Sequence, residues 1–188
     1  MIYFTSDLHF GHDKDFIYKS RGFNSIEDHD NTIIENWNNI VTEDDDVYVL
    51  GDLMLGDKEY GLNCLKRLRG KIHIVVGNHD TTNKIDLYAI KLNNVVEIKP
   101  IIILKYNKYK FYLSHYPTIT SELNEEKSLK DCLINLYGHT HQTTKFYNET
   151  SFMYNVGLDC HQNKPISIDE IISDCEEKVK ECYKLLED

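Results

Sequence analysis

Asp, His and Asn side chains stand together at the ends of several short apolar runs, and these residue types bind metals or move protons. The clearest run is Ile72-His73-Ile74-Val75-Val76, which ends in Gly77-Asn78-His79-Asp80. A β-branched stretch bounded by glycine predicts a buried strand. Glycine lets the backbone turn sharply and approach a ligand closely. Polar side chains are thus delivered at the C-terminal end of a strand, where open α/β sheets bind ligands. The pattern repeats. Ile2–Thr5 ends in Ser6-Asp7-Leu8-His9, and Val47–Leu50 ends in Gly51-Asp52. Phe111–Leu113 ends in Ser114-His115, and Leu133–Tyr137 ends in Gly138-His139-Thr140-His141.

The set Asp7-x-His9, Gly51-Asp52, Gly77-Asn78-His79-Asp80, His115 and Gly138-His139-x-His141, in this order, resembles the calcineurin-like metallophosphoesterase superfamily. The opening Ser6-Asp7-Leu8-His9-Phe10-Gly11-His12 is similar to a branch of small, stand-alone bacterial and phage members. The resemblance implies a dinuclear centre. Asp7, His9 and His141 would hold one metal, Asn78, His115 and His139 the other, and Asp52 would bridge them. Two ions roughly 3.5–4 Å apart clamp a phosphoryl group and generate a hydroxide nucleophile at neutral pH. A mixed N/O set suits divalent or mixed-valence Mn, Fe, Zn, Co or Ni. Only two of the seven ligands are carboxylates, so the loaded site would stay positive and attract phosphate. His79 is left unmetallated, with the role of donating a proton or hydrogen bond to the phosphoryl or leaving-group oxygen.

Asp80 has two readings. It could orient His79 as a carboxylate partner, or cap the helix that follows it. His12 and Arg21 are candidates for substrate contact. His12 lies three residues beyond His9, and Arg21 could bind a phosphate oxygen with a bidentate fork. The similar branch often carries Arg-Pro-Phe where this chain has Arg21-Gly22-Phe23, which suggests a more mobile loop over residues 10–24. Asp159 and His161 are read as structural, because the ligand set is complete without them.

The chain has 188 residues and a net charge of −10, the composition of one ordinary globular domain spanning residues 1–188. Residues 1–57 hold 13 acids and 3 bases, residues 58–110 hold 4 and 11, and residues 111–188 hold 14 and 7. The acidic total argues against tight non-specific nucleic-acid binding, and the basic middle reads as lysines on solvated faces. No run of eighteen apolar residues suggests a membrane span. The N-terminus enters a strand with no basic, signal-like start. Five widely spaced cysteines without a CxxC pair fit reduced thiols in a cytoplasmic protein.

Helices are predicted from Ser25, over about 58–69, over about 83–91, and from Ser167 to about Leu186 with an apolar stripe of Ile168, Ile171, Ile172, Cys175, Val179, Cys182 and Leu186. His29 is expected on the surface of the first, and Trp37 in the core. Strands are predicted over 95–98, 101–105, 110–113, 133–137, about 143–147 and 152–156, with a hairpin at Tyr106–Tyr109. Residues 116–130 form a loop that could overhang the site. Alternation of strands and helices predicts α/β, with a later antiparallel meander. The resemblance implies more: two mixed sheets packed as a sandwich flanked by helices. The expected activity is hydrolysis of a small phosphate ester, mono- or diester. A nuclease acting on DNA or RNA ends shares the site chemistry but calls for a strand-binding surface. A non-catalytic metal-binding scaffold would be marked by lost ligands, and none is lost.

Overall fold

The computed structural model describes residues 1–121 and 128–187, with side chains to residue 180. The expected loop over 116–130 therefore lies partly outside the described residues. So do the side chains of Cys182 and Leu186.

Four parallel strands form the first sheet: β1 (Ile2–Thr5), β2 (Asp46–Leu50), β3 (Lys71–Val75) and β4 (Val95–Lys99). Parallel neighbours need a crossover, and helices supply it. α1 (Asp15–Tyr18) and α2 (Ile26–Ile40) follow β1, α3 (Lys58–Leu65) follows β2, and α4 (Thr82–Lys91) follows β3. Ser25 caps α2, accepting from the Asp28 N–H, and Asp57 caps α3, accepting from Tyr60 N–H. The second sheet holds β5 (Ile102–Tyr106), β6 (Tyr109–Leu113), β7 (Leu133–Tyr137) and β8 (Met153–Asn155), in that order. A final short strand, β9 (Ile166–Ser167), pairs antiparallel with β1 and leads into α5 (Ile168–Glu187). Both sheets are therefore mixed.

The period-2 alternation of a strand builds two cores from one sheet. In β2, Tyr48 and Leu50 face the second sheet, where they pack with Phe111, Leu113, Ile134 and Leu136. Val47 and Val49 face the other way, onto Ile33, Ile34 and Trp37 of α2 and Leu62 and Leu65 of α3. Ile168, Ile171 and Cys175 of α5 close the inter-sheet core. Trp37 is fully buried, its Nε1 donating to the Arg69 carbonyl at 2.9 Å.

Several expectations change. Only β5 and β6 form an antiparallel hairpin, turned by Asn107 and Lys108, both in the left-handed region. β6–β7 and β7–β8 are parallel, so each of these connections is a crossover and not a tight turn. Residues 143–147 are not a strand; Phe146 alone bridges Tyr154. α3 ends at Leu65. The 10–24 segment contains α1 rather than only loop, and Gly22 sits at φ +88°, which proline's ring forbids. His29 is fully buried, not on the surface. Among the described residues Cys64, Cys160 and Cys175 are free thiols, and no helix is long and apolar enough to cross a membrane.

Replacing Leu136, fully buried at the inter-sheet core, by alanine should lower stability by about 2–5 kcal/mol. Urea denaturation of the metal-free protein measures it.

Candidate metal centre

Because β1, β2 and β3 run parallel, their C-terminal ends emerge on one rim. The ends of β6 and β7 join that rim from the second sheet, and the Ser6–Gly157 bridge ties the sheets together there. Backbone bonds lace the segments. Asp7 N–H donates to the Gly51 carbonyl at 3.0 Å and His9 N–H to the Asp52 carbonyl at 3.0 Å. Gly138 N–H donates to the His115 carbonyl, also at 3.0 Å. The crowding explains two glycines. A Cβ on Gly138 would collide with Ser6 and Asp7, and one on Gly77 with Asp52. Gly77 has no positive φ, so room for Asp52, not turning freedom, demands glycine there.

The rim brings all seven sequence-predicted ligands together. His9 Nε2 and His141 Nε2 lie 3.2 Å apart, each 3.9 Å from Asp7 Oδ1. Asn78 Oδ1 lies 2.8 Å from His115 Nε2 and 3.0 Å from His139 Nδ1. Asp52 Oδ2 stands between the groups, 3.5 Å from His115 Nε2 and 4.0 Å from His9 Nε2. Asp7, His9 and His141 present one compact set of ligand atoms, and Asp7, Asp52 and His115 another, so the Asp7 carboxylate faces both.

Hydrogen-bond chemistry tests whether metal suits these residues. His115 Nδ1 is 2.7 Å from the Leu50 carbonyl. A carbonyl only accepts, so Nδ1 carries a proton, and in the neutral ring Nε2 offers a lone pair to the Asn78 amide oxygen. His141 repeats the arrangement: Nδ1 donates to Asp159 Oδ2 at 3.0 Å, leaving the Nε2 lone pair against His9. A proton on His9 Nε2 would satisfy the His9–His141 contact, but His115 Nε2 and the Asn78 amide oxygen are both acceptors and repel unless a cation is beside them. Asp7 Oδ1 is buried with no donor, an arrangement that buried polar groups avoid. The donor set fits metal ions.

Burial pushes His9 down to about 2, with the charge of Arg21 adding to the effect. It also lowers His139, so both rings are neutral, as a ligand must be. His141 is raised, chiefly by its hydrogen bond to Asp159 and against burial. Burial pushes the Asp52 carboxyl up, opposed by His115. For Asp159, burial favours the neutral acid, but the hydrogen bonds from His141 and Arg21 outweigh it and hold the carboxyl well below its usual range.

Five of the seven residues, Asp7, His9, Asp52, His139 and His141, have φ between 50° and 69°. Non-glycine residues held there carry strain of order 1–3 kcal/mol each, and such strain collects at functional sites.

The second tier differs from expectation. Asp80 does not touch the His79 imidazole, and it does not cap α4, whose N-cap is Thr81. Its Oδ2 accepts from Asp52 N–H at 2.8 Å and Gly77 N–H at 2.9 Å, and its Oδ1 from Tyr88 Oη at 3.0 Å. It clamps two ligand loops together. His79 is held by its backbone instead: its N–H donates to Asp52 Oδ1 at 2.8 Å, and its carbonyl accepts from the buried Lys84 ammonium at 2.9 Å. The imidazole itself is 43% exposed, free to meet a substrate.

Arg21 is not a free phosphate clamp. Its side chain is 1% exposed, bidentate on Asp159 (3.0 and 2.9 Å) and donating to the Asp7 carbonyl and to His29 Nε2. That last bond places the His29 proton on Nδ1, which donates to Asp30 at 2.6 Å. Arg21, Asp159 and His141 thus form one chain, and Asp159 is the residue that positions the His141 ring. His12 lies beside the centre, its ring 5.4 Å from that of His9, with Nδ1 buried and unpartnered. Burial lowers it as well. His161 is structural, bonded to the Asn155 carbonyl. Lys84, Tyr88 and the roles of Asp80 and Asp159 escaped sequence reasoning; a lysine facing apolar positions of α4 was the one available hint.

The parallel-stranded rim carrying this Asp/His/Asn set is a site that could hold metal ions. Residues 1–178 match the calcineurin-like phosphoesterase superfamily domain, and the chain belongs to that family. It is 32% identical over 177 residues to an uncharacterised protein of Methanocaldococcus jannaschii, covering 91% of this chain and 89% of the relative. It is 30% identical over 197 residues to the gene 66 protein of Mycobacterium phage D29, covering 94% and 98%. A solved protein of unknown function from Aquifex aeolicus shares the fold, with a TM-score of 0.65 at 24% identity over 92% of this chain and 98% of that one.

Replacing Asp80 by alanine strands the three buried N–H groups of Asp52, Leu53 and Gly77, at about 1–3 kcal/mol each, so the denaturation midpoint should fall sharply. An Asp80 that merely oriented His79 would lower turnover and leave the midpoint in place.

Proposed function

We propose that the chain hydrolyses a small phosphate ester, mono- or diester, with two transition-metal ions. Asp7, His9 and His141 would hold one, Asn78, His115 and His139 the other, with Asp52 between. The observations that support this most directly are the buried Asp7 Oδ1 with no donor and the facing acceptors His115 Nε2 and Asn78 Oδ1. Bound ions would supply charge for the phosphoryl oxygens and an activated water.

The chain's own residues supply the rest. Asp159 fixes the His141 ring and the Leu50 carbonyl fixes that of His115, so both present Nε2 to the centre. Such outer partners set the tautomer of a ligating imidazole. Asp80 and Lys84 hold the loops that carry Asp52 and His79. His79, exposed at the rim with its ring 5.8 Å from that of His9, donates a proton to the leaving-group oxygen. Its fixed backbone and free ring suit a group that acts on substrate rather than on metal.

Elemental analysis after Mn soaking should find about two ions per chain. Trace metal only, with all seven residues intact, would overturn the proposal. His79→Asn should keep both ions and its fold while losing activity by roughly 10²–10⁴-fold. That loss should shrink for an ester with a good leaving group, which needs less protonation. Loss of the ions would place His79 among the ligands.

A further inference from the structure

A cavity of about 710 Å³ opens directly off the His9/His141 side of the centre, and His79 lines it. Its size is that of a small-molecule pocket. The part of the substrate that leaves with the oxygen protonated by His79 must therefore lie in this cavity. Its lining says what that part is. Leu55 and Leu158 give it apolar walls. Phe16, on α1, stands at its edge with 69% of its surface exposed. That ring meets His12 edge-on at 5.6 Å, and His12 in turn lies 5.4 Å from His9, so an open aromatic face sits two ring contacts from the centre. Thr143, Gln162 and Asn163 supply a hydroxyl and two amides. Gln162 and Asn163 stand in the left-handed region, at φ 54° and 56°. Their loop is pinned by Asn36, which donates to the Asn163 carbonyl at 3.1 Å.

Charge narrows the choice further. The one Lys or Arg in the lining is Arg21, and its guanidinium is engaged by Asp159, the Asp7 carbonyl and His29. Among the described residues the cavity therefore offers no free Lys or Arg to a second phosphate or a carboxylate. It suits a neutral, planar group with hydrogen-bonding edges. Aromatic stacking combined with amide contacts is how proteins hold single nucleobases.

We propose that the substrate is a nucleoside phosphate ester, with its base on Phe16 and its base edge toward Gln162 and Asn163. This rests on the phosphoesterase reading above. The experiment uses the Mn-loaded protein and matched pairs that differ only in the base or nucleoside. One pair is a nucleoside 5′-monophosphate against ribose 5-phosphate; the other is a 5′,5′-dinucleoside monophosphate against the matching 5,5′-diribosyl phosphate, so that in each the departing alcohol carries the group under test. In whichever class is turned over, the nucleoside form should be favoured roughly 5- to 150-fold in kcat/KM, the range that one base-on-aromatic stack supplies. Phe16→Ala should raise KM for the nucleoside ester, and Phe16→Trp should restore it. Adenosine added to metal-free protein should give a saturation-transfer NMR signal that Phe16→Ala removes. Equal kcat/KM within a pair, or adenosine binding indifferent to Phe16→Ala, would overturn the proposal. Hydrolysis without base preference would sink this inference and keep the phosphoesterase reading. Adenosine binding without turnover of any ester would uphold the pocket and sink the reading beneath it.

Discussion

The hydrogen bond from the His139 backbone N–H to Asp7 Oδ2, 2.9 Å long, is the contact on which the rest of the site depends. Asp7 ends a strand of the first sheet and His139 follows a strand of the second. One carboxylate oxygen thus joins the two sheets, with Ser6 Oγ donating to the same atom at 2.6 Å. Its other oxygen is left bare and aimed at the histidines. The contact is possible because Gly138 has no side chain to hold the strands apart. The sandwich and the centre are therefore one construction: whatever brings the sheets into register also assembles the ligands.

Asp80 plays the matching part within the first sheet. It accepts from three backbone N–H groups, Asp52 and Leu53 after one strand and Gly77 after another, and fixes the distance between the Asp52 and Gly77 loops. Tyr88, buried in α4, secures the carboxylate from behind. The left-handed conformations of five ligand residues are bearable in this setting. Each ligand backbone is strained by of order 1–3 kcal/mol, but hydrogen bonds on both sides, such as Asp7 N–H to Gly51 and His9 N–H to Asp52, over-determine it. Relaxing one residue would break bonds made by its neighbours.

Arg21 shows how the same logic distributes charge. A guanidinium beside a metal centre would be expected to seek phosphate, yet here it is buried against Asp159. Its positive charge lets a buried carboxylate remain ionised, and that carboxylate holds the His141 ring. The mouth of the site is thereby left to Phe16, His12 and the half-exposed His79.

The sequence by itself determined most strands and helices and marked the seven ligand candidates, because each motif combines an apolar run with polar residues just past its end. Those signals are local, and local chemistry is legible residue by residue. His29 on the surface, Asp80 as the partner of His79, Arg21 as a phosphate clamp and a strand at 143–147 were misjudged for the opposite reason. A buried polar side chain is defined by what approaches it from elsewhere in the chain, and Arg21 meets Asp159 across 138 positions. Only the tertiary structure decided which carboxylate orients which ring, that the later strands run parallel, and that an aromatic-edged cavity opens beside His79. Packing and hydrogen-bond satisfaction settle these matters, and both act between segments that the sequence keeps far apart.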